Sequence, residues 1–142
     1  MLGLLVVTHG RLAEELVDAA RTIVGDVEAF EALSIGWNVE VEHASRTIEQ
    51  AMRRVDRGEG VLLLTDMFGG TPTNLALSLH EHGRIEIVTG VNLPMLIKFA
   101  GLREKMNLHD AASRIADQGR EAIQVASHLL QADEAGSGGE AG

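Results

Sequence analysis

The sequence predicts an α/β protein: a single domain with a doubly wound, mainly parallel sheet that carries helices on both faces. Short runs of apolar residues, typical of strands buried on both sides, alternate with longer segments in which apolar residues recur at three- and four-residue spacing. The chain has 142 residues, 45% of them hydrophobic, and a domain of that size can build one core without staples. Alternating strands and helices imply a parallel sheet covered on both sides.

Each predicted strand is an apolar run that stops at a polar residue or a glycine. The four runs are residues 4–7, 30–35, 61–64 and 85–88. Each predicted helix has one apolar stripe and is bounded by residues that suit helix ends, such as Gly25, Asn38, Pro72 and Gly101. The helices are predicted at about 12–24, 41–55, 72–82, 94–100 and 108–130.

The last helix is predicted to be one continuous element from Leu108 to about Leu130. Its buried face would consist of Ala112, Ile115, Ala122, Ile123, Ala126 and Leu130. Residues 133–142 contain four glycines and no large apolar side chain, which predicts a disordered tail or linker. The domain is therefore expected to span residues 1–132.

Composition narrows the classes of function. The chain has no cysteine, which excludes a disulfide framework, a thiolate nucleophile and a cysteine-based zinc site. The net charge of −9 argues against binding to nucleic acid and favours a basic protein partner. No apolar run reaches the length of a membrane span, and the apolar start of the chain is interpreted as a core strand, so we expect a cytoplasmic protein.

A histidine and an aspartate follow two of the predicted strands. His9 comes directly after the first strand, and Asp66 follows the third. Ligands of open parallel sheets bind at the carboxyl ends of the strands, where the strand order reverses, and neighbouring strands lie only ~4.8 Å apart. If these two strands are neighbours, Asp66 can accept one ring N–H of His9 and fix its tautomer. The other ring nitrogen would then be a nucleophile.

A glycine pair beside this position predicts an anion site. Gly69 and Gly70 let the backbone approach a ligand, and Thr71-Pro72 starts a helix whose first amides point towards the loop. A nucleophilic imidazole, an orienting carboxylate and an anion loop together suggest phosphoryl transfer through phosphohistidine. The chain has no Walker lysine or kinase loop, so no bound nucleotide or other cofactor is predicted. The pair His80 and His82 lacks a third ligand, so no metal is predicted.

Each of these features also has a purely structural interpretation. The glycine pair could form only a tight turn, and Asp66 could cap the turn that follows its strand. Trp37 could pack in the core or lie exposed as a contact for a ligand or partner. It is the expected convergence of the features on one sheet edge that favours function.

Three blocks of sequence resemble one family. The blocks VVTHG at 6–10, LTDMFGGTPTN at 64–74 and TGVNLPML at 89–96 are similar to those of the mannose-type EIIA component of the bacterial phosphoenolpyruvate-dependent sugar phosphotransferase system. This resemblance implies a phosphotransferase component that forms a homodimer. It implies that His9 accepts phosphate from phospho-HPr and passes it to a EIIB component, which links the chain indirectly to a membrane permease and sugar uptake.

The resemblance also implies roles for the neighbours of His9. Asp66 would hold the imidazole ring, and the turn of Gly69, Gly70 and Thr71 would receive the phosphoryl oxygens. Candidates for partner contacts are Trp37, Phe68 and Asn92.

Two alternatives remain at this level. The chain could be a regulatory phosphoprotein of an incomplete phosphotransferase system, or the phosphoryl donor module of a dihydroxyacetone kinase system. The run Thr8-His9-Gly10 favours the sugar-transport branch.

Overall fold

The structure is a computed structural model that describes residues 1–36, 40–67, 74, 77 and 84–137. Within these residues, the strands form one parallel sheet in the order β2-β1-β3-β4. The strands are β1 (Gly3–His9), β2 (Phe30–Ile35), β3 (Val61–Thr65) and β4 (Ile85–Thr89). The predicted parallel α/β class is confirmed. Because β1 and β3 are neighbours while β2 lies on the far side of β1, the strand order reverses between β1 and β3.

Five helices are described. They are α1 (Leu12–Val24), α2 (Val41–Val55), α3 (Leu93–Leu102), α4 (Leu108–Glu121) and α5 (Ala126–Ser137). The predicted start of α3 is confirmed, since Asn92 is its N-cap and Pro94 lies in its first turn. Most of the helix predicted to begin at Pro72, and the predicted cap Asn38, lie outside the described residues.

The sheet is buried on both faces. Leu4 and Val6 of β1 pack in a cluster that includes side chains of α1, α3 and α4. Leu5 and Val7, which point the other way, pack in a second cluster with side chains of α2. This two-sided burial is the reason why β1 has an unbroken apolar sequence. Polar side chains of the central strands can therefore reach solvent only at the two ends of the strands.

The C-terminal region differs from the predicted single helix. Helix α4 ends at Glu121, and a second helix, α5, begins at Ala126. Ala112 and Ile115 are buried as predicted. The other members of the predicted buried face are half-buried or exposed: Ala122, Ile123, Ala126 and Leu130.

The break follows from the lack of burial. Ile123 is 79% exposed and Val125 is 56% exposed, so little apolar surface is covered by continuing the helix there. Both side chains are β-branched, which lowers helix propensity further. Helix α5 then extends to Ser137, five residues into the segment 133–142 for which composition predicts a tail. Residues 138–142 lie outside the described part of the chain.

A buried arginine binds the main chain at the amino-terminal end of the sheet, opposite the end that carries His9. Arg103, which follows α3, is 5% exposed, and its guanidinium lies over the rings of Phe30 and Phe99 at 4.9 and 5.6 Å from their centroids. Its N–H groups donate to the main-chain carbonyls of Leu2, Glu28 and Ala29. Arg103 thereby joins the end of α3 to the amino-terminal ends of β1 and β2.

Candidate functional site

His9 and Asp66 meet at the point where the strand order reverses. The register of β1 and β3 pairs Val7 with Thr65, so His9, two residues after Val7, and Asp66, one residue after Thr65, lie at the same end of the two strands. His9 Nδ1 lies 2.9 Å from Asp66 Oδ2. The two side chains are 19% and 15% exposed, so the pair is largely shielded from solvent but reachable from it.

Asp66 accepts three hydrogen bonds from its surroundings. Its Oδ2 accepts from the His9 main-chain amide at 3.1 Å as well as from Nδ1, and its Oδ1 accepts from the Met67 amide at 3.0 Å. Burial raises the pKa of the Asp66 carboxyl, but the hydrogen bonds and the charge of His9 outweigh it, and the net pKa lies below its usual range. Asp66 is therefore ionised at neutral pH.

The ionised carboxylate fixes the tautomer of the histidine. A carboxylate can only accept hydrogen bonds, so Nδ1 of His9 is the ring nitrogen that carries the proton. In the neutral ring the lone pair then belongs to Nε2, on the opposite side of the imidazole. This arrangement makes Nε2 the basic and nucleophilic nitrogen, and it places a negative charge where a positive charge on the ring would be stabilised.

The main chain around His9 is held by three elements. The His9 amide donates to Asp66, beyond β3, and the Gly10 amide donates to the carbonyl of Ile35 at the end of β2. Gly10 has a φ of +55°, a conformation that L residues rarely adopt, and it turns the chain from β1 towards α1. The hydroxyl of Thr8 adds contacts to α1 and to the His9 carbonyl. The sequence gives no signal for these contacts of Thr8 beyond the polarity of a residue in a buried strand.

Five of the remaining predicted site residues stay predictions from the sequence. Phe68, Gly69, Gly70, Thr71 and Trp37 lie outside the described residues.

Asn92 is described, and its side chain is used within the chain. Its Oδ1 accepts from the amide of Met95, which caps α3, and its Nδ2 donates to the carbonyl of Gly119 in α4 at 3.1 Å. Asn92 therefore joins α3 to α4, and its contact with a partner stays a prediction.

The described residues contain no cluster of three or more side chains that could hold a metal ion. In the same part of the chain, no helix combines the length and the apolar character that a membrane span needs.

The chain is a parallel α/β protein of the open-sheet class, and it carries a histidine–aspartate pair at the switch point where such proteins bind ligands. The chain belongs to the EIIA-man family, whose model, described as PTS system fructose IIA component, matches residues 3–116. It is thus a mannose-type EIIA component of the phosphotransferase system.

Individual relatives agree with this family. The chain is 29% identical to the fructose-specific EIIA component of Bacillus subtilis over 92% of its own length and 90% of the relative. It is 32% identical to the mannose-specific EIIAB component of Escherichia coli, over 87% of this chain and 39% of that longer protein. The fold is similar to that of a crystal structure of phosphotransferase system component EIIA from Streptococcus agalactiae, with a TM-score of 0.81 at 21% identity, over 90% of this chain and 99% of the other.

Proposed function

We propose that this protein carries a phosphoryl group on His9, which it accepts from phospho-HPr and passes to a EIIB component for sugar uptake. The observation that carries the proposal is the 2.9 Å contact between His9 Nδ1 and Asp66 Oδ2 at the switch point of the sheet. Family membership supports it, because components of this family belong to a phosphotransferase system.

In the proposed step, Nε2 of His9 attacks the phosphorus atom of phospho-HPr. The new bond forms between Nε2 and phosphorus while the nitrogen–phosphorus bond of the donor breaks, and the donor imidazole leaves with that electron pair. The Nδ1 proton of His9 stays in its hydrogen bond to Asp66. The carboxylate stabilises the positive charge that develops on the ring as Nε2 gives up its lone pair. In the proposed transfer to EIIB, a nucleophile of EIIB attacks the phosphorus atom on His9. The bond between Nε2 and phosphorus breaks, and the electron pair returns to Nε2.

The phosphoryl oxygens need donors of their own. From the sequence we propose that the turn of Gly69, Gly70 and Thr71 supplies them through main-chain amides and the threonine hydroxyl. Phe68 and Trp37 remain the proposed apolar contacts for the partner proteins. The acidic chain would approach a partner with a basic face, since its net charge is −9.

We further propose that residues 1–132 form the carrier domain and that it acts in the cytoplasm as a homodimer, as the family resemblance implies. The boundary is supported by His9 in β1 and by the end of α4 at Glu121, both before position 132, although α5 continues across that position to Ser137.

The test is phosphoryl transfer in a reconstituted system. Purified enzyme I and HPr with labelled phosphoenolpyruvate should label the wild-type chain, and the label should be acid-labile, as expected of a phosphoramidate. His9→Ala should abolish labelling. The matched control is His109→Ala, because His109 is 77% exposed on α4 and should be labelled like wild type. Full labelling of His9→Ala would refute the site.

A second stage tests the acceptor. A purified EIIB component is added to the labelled chain after phosphoenolpyruvate has been removed. Loss of label from this protein with a matching gain on EIIB is the expected result. A chain that is labelled by phospho-HPr but retains its label with EIIB present would contradict the transport role and leave the carrier step standing.

A further inference from the structure

Thr8 is a polar residue with no exposed surface, and it directly precedes His9. The amide of Ala13, in the first turn of α1, donates to Thr8 Oγ1 at 2.7 Å. The Thr8 hydroxyl donates in turn to the main-chain carbonyl of His9 at 3.2 Å. One hydroxyl thus connects the last residues of β1 with the start of the helix that follows.

The contact with Ala13 replaces an ordinary helix cap. Arg11 is the N-cap residue of α1, and its side chain makes no capping hydrogen bond. The amide of Ala13 belongs to the second helical residue, which an N-cap side chain would normally satisfy. Thr8 satisfies it from the strand instead. The short turn of Gly10 and Arg11 therefore lies between the His9 carbonyl and the Ala13 amide, and both of these groups are hydrogen-bonded to the same hydroxyl.

The main chain of His9 is held at its carbonyl and at its amide. Its carbonyl accepts from Thr8, and its amide donates to Asp66 at 3.1 Å. The orientation of the His9 main chain is thereby set on both sides, by Thr8 at the carbonyl and by Asp66 at the amide. The ring direction follows the main chain, because a side chain in a single rotamer moves with its own backbone.

We propose that the Thr8 hydroxyl is a positioning group for phosphoryl transfer: it holds the His9 main chain so that the imidazole stays in contact with Asp66. The inference rests on the proposed function for its kinetic consequence, but the ring position that it concerns can be measured without any transfer. Thr8 has no exposed surface and would not contact the phosphoryl group; it acts through His9.

The first test compares two variants of one position. Thr8→Val keeps the shape but removes the hydroxyl, and Thr8→Ser keeps the hydroxyl but removes a buried methyl group. The rate of labelling by phospho-HPr should fall roughly ten- to a hundredfold in Thr8→Val, since small misplacements of a reacting group cost that much. Thr8→Ser should label at close to the wild-type rate.

The serine variant separates positioning from stability. Loss of the methyl group leaves a small cavity, so Thr8→Ser is also destabilised, and its urea midpoint should lie below that of wild type. If stability alone governed transfer, both variants would be slow in proportion to their midpoints. Equal rates in the two variants, or a wild-type rate in Thr8→Val, would overturn the proposal.

The control removes a hydroxyl from α1, the helix whose first turn Thr8 contacts from β1. Thr22 is in α1, and its Oγ1 donates to the carbonyl of Asp18 at 3.0 Å, away from His9. Thr22→Val should label at the wild-type rate. A loss in Thr22→Val as large as that in Thr8→Val would show that loss of a threonine hydroxyl bonded to α1 slows the reaction wherever it lies, and it would overturn the proposal.

The second test uses ¹⁵N NMR of the His9 ring in the unphosphorylated protein. In wild type the nitrogen shifts should report a proton on Nδ1 and a lone pair on Nε2. In Thr8→Val they should move towards a mixture of the two tautomers, and in Thr8→Ser they should not. If the wild-type chain is never labelled by phospho-HPr, the proposed function fails and this measurement decides alone. Unchanged ring shifts in Thr8→Val would then overturn the Thr8 assignment.

Discussion

Asp66 Oδ2 lies 2.9 Å from the ring Nδ1 of His9 and 3.1 Å from its main-chain amide nitrogen. One carboxylate oxygen therefore holds both the side chain and the main chain of the same histidine. The two bonds together constrain the ring more than a side-chain contact alone, because the ring and the backbone that carries it are tied to a common point. The consequences of removing this oxygen can be measured in several ways.

Replacement of the carboxylate should slow transfer without abolishing it. Asp66→Asn keeps the shape but loses the negative charge that fixes the Nδ1 proton, so we expect the labelling rate to fall by roughly a hundredfold or more. Rapid mixing with phospho-HPr measures the rate. The control is Asp117→Asn, since Asp117 is 59% exposed on α4 and pairs only with Arg120 in the described contacts. A wild-type rate in Asp66→Asn would contradict the role of the carboxylate.

The lowered pKa of Asp66 predicts a pH dependence of stability. A carboxyl whose pKa is lower in the folded than in the unfolded chain stabilises the fold at pH values above its unfolded pKa, near 3.8. This contribution to the free energy of unfolding is lost as the pH falls through the pKa of the folded state. The urea midpoints of wild type and Asp66→Asn should therefore differ most near neutral pH. The difference should shrink as the pH falls below about 4. A difference that is constant from pH 7 to pH 3 would contradict an ionised, stabilised Asp66.

Arg103 should contribute strongly to stability and not to transfer. Arg103→Met removes donors from the buried carbonyls of Leu2 and Ala29 and from the part-buried carbonyl of Glu28, and we expect a loss of about 2–4 kcal/mol in the free energy of unfolding. Arg120→Met is the control, because that side chain is 78% exposed and should change stability little. Urea denaturation gives both values. Labelling of folded Arg103→Met should proceed at the wild-type rate, since Arg103 contacts the sheet edge opposite His9.

Two helical glycines should respond oppositely to alanine. A Cβ at Gly119 in α4 would lie 2.7 Å from Met95 Sδ, so Gly119→Ala forces that buried side chain to move, and we expect the thermal midpoint to fall. A Cβ at Gly101 in α3 would meet no atom within 4 Å, so Gly101→Ala should stabilise by about 0.4–1 kcal/mol. Thermal unfolding of the pair tests this. Stabilisation by Gly119→Ala would show that the packing against Met95 is looser than described.

Charge should govern the encounter with the donor. With a net charge of −9, the chain should attract a basic partner face, and such attraction is screened beyond ~10 Å at 0.1 M salt. The second-order rate of labelling by phospho-HPr should fall as salt rises, while the rate within the formed complex changes little. Stopped-flow measurements over a salt series separate the two. A second-order rate that is flat or rising with salt would exclude steering by net charge.

The sequence predicts the site pair well because parallel strands impose simple geometry. Apolar runs indicate which segments are central strands, and the residues after β1 and β3 must then leave the same sheet edge. Once β1 and β3 are neighbours, that rule brings His9 and Asp66 together, and the adjacency itself comes from the structure. The start of α3 is equally accessible, because Asn92 and Pro94 are typical of the first residues of a helix.

Other features cannot be predicted from local patterns. Ile123 and Leu130 continue the apolar period of α4, but periodicity does not say whether another element covers them, and here both are exposed. Arg103 lies in a polar stretch that suggests a surface loop, yet its partners come from the distant residues Leu2 and Ala29. Thr8 contacts Ala13 across a turn, which no helical or strand period encodes.

The separation of His9 and Asp66 along the chain has a consequence for how active protein can be recognised. The two residues are 57 positions apart, and they meet only when β1 and β3 are paired. An unassembled copy has the histidine but lacks its carboxylate, so under the proposed function it should be a poor phosphoryl acceptor. Misfolded or newly made copies would therefore not divert phosphoryl groups from the relay. The fraction of chains labelled rapidly by phospho-HPr would count the correctly assembled molecules in a preparation.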